Sequence, residues 1–527
     1  MIEEFRMEKA PPAEPAPVES SPSPSVPRSR RDFLVAGALA AAAVAPRSLF
    51  AQGTPPSRRI SVLPRKSAAP ANTSLDLIPP PPEWQSVSLR LVRRVTNGIT
   101  PADVAAVQGM GYQEYLNAQV HYDEIDDSAL EADGAERWPL LSQTPAQLFA
   151  ANSSTVQEQL QEAMIYRSAF SSRQLYQRMV EFWSDHFNIY IGKVGYLKAV
   201  DDRDVIRANA LGTFPELLYA SSHSPGMLAY LDQNTSLAAA PNQNYAREVM
   251  ELHTLGVNGG YTQDDVAELS RVLTGWTITG AGEFEVNPSI HDWGEKTVLG
   301  VTIPASSPSV GAAGVLEGET IMTMLANHPS TQQFIATKLL MWLLTPEPTT
   351  EQVNTIADVF DATGGDIALM VRAILNDGWM AAAPAKFKRP FHFLVSTLRA
   401  TNPTLATVTP MNSQLTNVGQ PLFFWQTPDG YPDTVEYWSG NIVPRWAFSN
   451  VLANEKTATS IDLITTPYLS GTPDAAVDMM QTNYFGGELP VATRTALLTY
   501  LKGGTFNDTI VRETIGLALG AAEFQWY

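Results

Sequence analysis

The sequence predicts a mainly α-helical fold, one large helical globule with a small β-hairpin insertion and an aromatic-rich loop layer. Three observations carry this prediction. From Gln85 onward, apolar residues recur mostly at three- and four-residue spacings, the period of a helix buried on one face. Helix-start signals punctuate that pattern, as at Thr100-Pro101-Ala102-Asp103 and Thr262-Gln263-Asp264-Asp265. Of 527 residues, 44% are hydrophobic, enough for a substantial core.

In chain order, Met1–Pro27 is rich in Pro, Ser and Glu, a composition that buries too little apolar area to offset chain entropy. Ser29-Arg30-Arg31-Asp32-Phe33-Leu34 follows, then an apolar run to Ala45 and a small-residue site ending at Ala51. Paired arginines, a moderately apolar run and a cleavage site are the parts of a twin-arginine export signal. The run from Phe33 to Ala45 is too short for a membrane anchor, which needs roughly 20 residues. Residues 1–51 are therefore read as a twin-arginine signal region, 52–84 as a Pro/Ser-rich disordered spacer, and 85–527 as a single large helical domain. The expected location is periplasmic or extracellular, with no stable membrane span in the mature chain.

Within the domain, helices are expected around Thr155–Phe170, Gln174–Ile189, Gln263–Trp276, Thr331–Leu344, Glu351–Phe360, Ile367–Asn376, Phe391–Arg399 and Asp508–Leu519. Phe284-Glu285-Val286 and Thr297-Val298-Leu299, flanking a polar stretch, predict a β-hairpin over Phe284–Ile303. Thr404–Ser449 is rich in Pro, Gly and aromatics, among them Phe423, Phe424, Trp425, Tyr431, Trp438 and Trp446. So many large apolar side chains predict an ordered, aromatic-packed loop layer and not a linker.

The charge balance excludes several functions. Lys and Arg number 35 against 54 Asp and Glu, a net charge of −19, whereas nucleic acids are recognised through basic surfaces. With no cysteine, disulfides, thiolate metal sites, iron–sulfur clusters and a Cys nucleophile are all excluded. The chain has no H-E-x-x-H, no G-x-S-x-G and no phosphate-cradling loop.

Two helices and one helix start hold the candidate functional residues. In the first, Leu175, Met179, Phe182, Trp183 and His186 share a face, with Gln174, Arg178, Glu181 and Asp185 as a polar stripe beside it. His186 is thus expected to be buried and neutral, serving as a base or metal ligand or bonded to a backbone carbonyl. In the second, Arg247 and Glu251 are spaced to pair, with Glu248 competing, and His253 stands before a glycine break where a helix end favours its protonated form. An ordinary structural ion pair is the alternative there. His328 precedes Pro329 and is expected at an N-cap, either with a lone pair free for a metal or as a plain cap.

From Arg247 through Trp276 the text "REVMELHTLGVNGGYTQDDVAELSRVLTGW" closely resembles the signature of a bacterial family known as the domain of unknown function 1800 family. "RMVEFWSDHFNI", "HDWGEKTVLG", "HPSTQQFIATKLL", "KRPFHFLVSTLRA", "GQPLF…PDGYP" and "LGAAEFQ" agree with it. The resemblance implies an exported protein, often encoded beside an exported phosphatase- or sulfatase-like protein. That neighbour is an expected partner, besides the twin-arginine translocase during export. More distantly, the chain is similar to haem peroxidases of the cyclooxygenase type. That likeness implies Asp185-His186 as a distal pair, Arg247 with Glu248 or Glu251 on a second helix, and His328 as the iron ligand of a haem. In that reading His186 shuttles a peroxide proton while Arg247 stabilises the developing charge. The alternative is a non-enzymatic scaffold docking its partner through the aromatic layer.

Overall fold

Local capping chemistry sets many of the helix starts. Thr100 and Asp103, Thr213 and Glu216, Thr262 and Asp265, and Thr349 and Gln352 form reciprocal capping boxes, each satisfying two otherwise orphaned backbone amides. Pro101, Pro215 and Pro329 occupy first-turn positions where a missing N–H costs nothing. The computed structural model describes residues 78–307, 313–405, 407–454 and 461–527. The signal region and most of the spacer lie outside the described residues. The spacer's last residues are already part of the fold: Trp84 is buried beneath the Arg93 guanidinium at 3.7 Å, and the Trp526 indole donates to Pro79 O at 3.1 Å.

The architecture is mainly α. Six helices position the site: α1 (Gln174–His186), α2 (Gln243–Glu248), α3 (Gln263–Val272), α4 (Ala313–Ala326), α5 (Pro329–Leu343) and α6 (Pro390–Thr401). Helix α1 stops at His186 and not Ile189, and α3 stops at Val272, leaving Trp276 to a strand. On α1, Leu175, Met179 and Trp183 are fully buried, each such side chain contributing about 1.5–3 kcal/mol. The Trp183 indole donates to Ala210 O at 3.0 Å, so its polar atom is satisfied within the core. Among the described residues no helix is long and apolar enough to cross a membrane.

The strand-rich insertion pairs differently from the expected hairpin. Strands β1 (Trp276–Ile278) and β2 (Phe284–Val286) pair with each other, as do β3 (Lys296–Val298) and β4 (Val301–Ile303), all antiparallel. Short-range turns thus close two small hairpins where the sequence suggested one. The insertion is fastened by a buried triad: Glu317 on α4 accepts from Lys296 Nζ at 2.7 Å and meets His291 Nε2 at 3.2 Å. Strands β5 (Thr404–Leu405) and β6 (Ile461–Asp462) form a third two-stranded sheet.

The aromatic layer is ordered, and partly helical, with turns at Thr409–Asn417 and Ile442–Asn454. Tyr431, Trp438 and Ile442 bury against Phe387 and Trp526, which gives this layer its own small core.

Candidate functional site

Helix α1 carries two kinds of polar group side by side. Glu181 and Asp185 project toward α6, where Arg389 donates one guanidinium nitrogen to Glu181 Oε1 and another to Asp185 Oδ2 at 2.5 Å. Glu181 Oε2 also takes a hydrogen bond from Arg178 at 3.0 Å, and Arg178 continues to the Tyr527 hydroxyl at 3.2 Å. Arg178 and Arg389 both lie over the Trp342 ring, at 4.4 and 4.7 Å. Every formal charge here has a partner, as buried charges require.

His186, the next residue, is different. It is 2% exposed, and Phe182, Trp183, Phe187, Phe214 and Phe334 surround its ring. Its Nε2 donates to the backbone carbonyl of His253 at 3.1 Å, which leaves Nδ1 a buried lone pair without a donor. Burial first, then the nearby Lys338 charge, drives its pKa well below the usual imidazole range.

His253 reaches His186 through an unusual backbone. After α2 the chain widens into a π-helical segment, Val249–Thr254, in which Leu255 N bonds Met250 O at 2.8 Å and Thr254 Oγ1 bonds Val249 O at 2.6 Å. Such i→i+5 turns are rare and concentrate at functional sites. The ring centroids of His186 and His253 lie 6.2 Å apart. His253 is 1% exposed, its Nε2 has no partner, and burial lowers its pKa to about 3. The protonated form expected at a helix end is therefore not favoured, because desolvation outweighs the helix dipole.

Close to these imidazoles stands Lys338, on α5 one turn beyond Phe334. Its ammonium lies 5.5 Å from the Phe334 ring and, among the described residues, makes no ion pair or hydrogen bond. Burial lowers its pKa to about 8, with Asp185 and Asp429 opposing. Two glycines make the arrangement possible. At Gly256 (φ +78°) a Cβ would sit 2.9 Å from the Phe334 ring, so glycine lets α5 close on the π-helical segment. At Gly430 (φ +72°) a Cβ would fall 2.2 Å from Asp185 O, so glycine lets the loop press onto the end of α1 and carry Asp429 to its rim. Asp429 is exposed and held by Thr427 Oγ1 at 2.6 Å and the Trp425 indole at 2.9 Å. Glu248 completes the rim: burial, Glu251 and Asp429 raise its pKa to about 7 against the opposing pull of Arg247.

The other candidates lie further out. Arg247 donates to Gln263 at 2.8 Å and Glu251 accepts from Tyr261 at 3.1 Å, so the expected Arg247–Glu251 pair does not form. The wider π turn following Glu248 changes the angular spacing that a four-residue pairing needs. His328 is an N-cap, as expected, and its Nδ1 accepts from the Ser330 amide at 3.1 Å. It stands six residues before Phe334, about 9 Å along the helix axis. The structure thus joins Asp185, His186 and His253 around Lys338, sets Glu248 and Glu251 at the rim, and leaves Arg247 and His328 bonded elsewhere. These residues do not fit a haem: aromatic side chains already pack around His186, and no contact links it to Arg247 or His328 among the described residues. Nor, among the described residues, are three or more His, Asp or Glu side chains placed to hold a metal ion.

Lys338, Arg389 and Asp429 all lie in stretches noted for family likeness but were not singled out as site residues. Lys338 had a signal, a lone cation inside the apolar run Phe334–Leu344. A separate groove of about 590 Å³, lined by Asp204, Glu216, Tyr219 and Met322 among others, shares no residue with this cluster.

The family model for proteins of unknown function designated DUF1800 matches residues 90–526, and the chain belongs to that family. Comparison with curated proteins and with solved structures gives no match.

Proposed function

We propose that this member of the family is an exported enzyme whose working group is the half-buried Lys338 amine, beside two neutral imidazoles and near the exposed Asp429. One observation carries the reading. Buried Lys198, Lys296 and Lys386 are neutralised by Asp201, Glu317 and Asp433 at 2.9, 2.7 and 2.6 Å, and Lys388, which also has no counter-ion, is buried over the Phe524 ring, whereas Lys338 combines the lack of a counter-ion with a half-buried position that solvent reaches. A desolvated amine is a nucleophile and base near neutral pH, and perturbed groups of this kind cluster at active sites. His186 Nδ1 and His253 Nε2 present unpartnered lone pairs beside it, and Glu248, half-protonated near pH 7, supplies or takes a proton.

Competitive acetylation of the folded chain across pH 6–11 tests this. Lys338 should titrate with a midpoint near 8. A midpoint above 10 for Lys338 would sink the proposal. Export by the twin-arginine route belongs to the same reading, supported by Arg30-Arg31 and the apolar run behind them. Replacing both arginines with lysine should retain the precursor inside the cell.

A second reading, docking of an exported phosphatase- or sulfatase-like partner, is favoured by exposed aromatics on the loop layer. Phe424 and Tyr437 are 38% and 41% exposed beside Trp425. Co-purification of such a partner, lost on changing both residues to serine, would support it.

A further inference from the structure

We propose that Lys338 captures an aldehyde or ketone as an imine on its Nζ. This rests on the reading of Lys338 as the working group and names the class of substrate it takes.

The surroundings match what imine formation requires. The amine must be free to attack and within reach, and Lys338 is half-buried with no counter-ion, whereas Lys198, Lys296 and Lys386 are ion-paired and Lys388 is buried over the Phe524 ring. His186 and His253, held neutral by burial, give the ammonium no counter-charge and so leave the amine free. An acid must protonate the departing oxygen, and Glu248, coupled to Asp429 and raised to about 7 chiefly by burial, carries a proton at neutral pH. The Phe334 ring at 5.5 Å supplies an apolar wall for the carbon skeleton.

Other amine chemistry fits less well. Acyl transfer to Lys338 ends in an amide and phosphoryl transfer in a phosphoramidate, and neither Gly-rich phosphate loop nor G-x-S-x-G elbow accompanies it. Condensation with a carbonyl is reversed by water alone, so the amine is regenerated. The step balances: the nitrogen lone pair forms the C–N bond while the carbonyl π pair moves to oxygen. The oxygen takes one proton from the attacking nitrogen and one from Glu248 and leaves as water, the remaining pair on nitrogen closes the C=N bond as an iminium, and the last nitrogen proton returns to Glu248 as the imine forms. One water is released per imine, and no oxidant or reductant is consumed.

The test uses propanal with sodium cyanoborohydride on the full chain at pH 7, which reduces any imine to a stable propylamine, followed by peptide mapping. Labelling at Lys338 should exceed that at Lys193 and Lys502, whose ammoniums are held by Asp232 and Asp474, by at least about tenfold. In Lys338→Arg, labelling of the two reference lysines should be unchanged. Labelling no greater at Lys338 than at those lysines overturns the inference. If acetic anhydride still prefers Lys338 while propanal does not, the imine fails alone and the lysine-centred reading stands. If neither reagent prefers it, both fail.

Discussion

Two regions meet on one helix turn. On one side of α1, Glu181 and Asp185 are locked to Arg389 and Arg178 in a network where each charge has its opposite. On the other side, His186, His253 and Lys338 stand together with two imidazole nitrogens and an ammonium lacking partners. The difference separates architecture from chemistry. A satisfied network holds three segments together and has nothing left to offer a ligand, whereas the unsatisfied cluster costs stability that only another role explains.

Four experiments break or sharpen that contrast. Arg389→Ala strips the cation from two buried carboxylates and should cost about 3–5 kcal/mol in urea unfolding. A loss below about 1 kcal/mol would mean the paired side is not structural. Gly430→Ala forces a Cβ against Asp185 O and should cost about 1–3 kcal/mol. Because the loop also carries Asp429, whose charge raises the Lys338 pKa, displacing it should lower the Lys338 midpoint measured by acetylation. Lys338→Met keeps the side-chain length without the unpaired charge. Its stability at pH 7 should stay within about 1 kcal/mol of the parent or rise, the opposite of Arg389→Ala. It should also remove a rise in stability between pH 8 and 10.5. The folded amine, at about 8, releases its proton before the unfolded one at 10.5, so the unfolded chain binds more protons in that window.

The smallest effect concerns Glu248. Its folded pKa of about 7 lies above the ordinary 4.5, so its contribution is present below pH 4.5 and fades as pH rises through 7. Glu248→Gln should flatten that decline. An unchanged slope would place Glu248 outside the cluster's electrostatics.

Much of the fold was legible because its determinants are local. Thr100 with Asp103 and Thr262 with Asp265 sit three residues apart, and a cap is written in that spacing. Burial of His186 followed from apolar neighbours at helical intervals. What escaped was long-range or off-period. Asp185 and Arg389 are separated by 204 residues, and nothing near either names the other. Lys338 lies in a stretch that reads as continuous apolar core, where a single cation passes for a surface residue. The Arg247–Glu251 pairing assumed 3.6 residues per turn in a segment that adopts a wider one. The hairpin was placed over the right residues with the wrong partners, since short β-prone runs of similar composition compete for pairing.

That wide turn bears on how the region tolerates length change. A helix that accommodates one surplus residue does so by bulging, and excising a residue between Val249 and Leu252 offers the backbone an ordinary α-helix in return. The chain beyond the segment would keep its azimuth, whereas residues inside it, His253 among them, would turn from their present facing and carry the carbonyl that holds His186 with them. A deletion that regularised the backbone would thereby dismantle the imidazole pair, leaving a smoother helix and a blank face where two rings now meet.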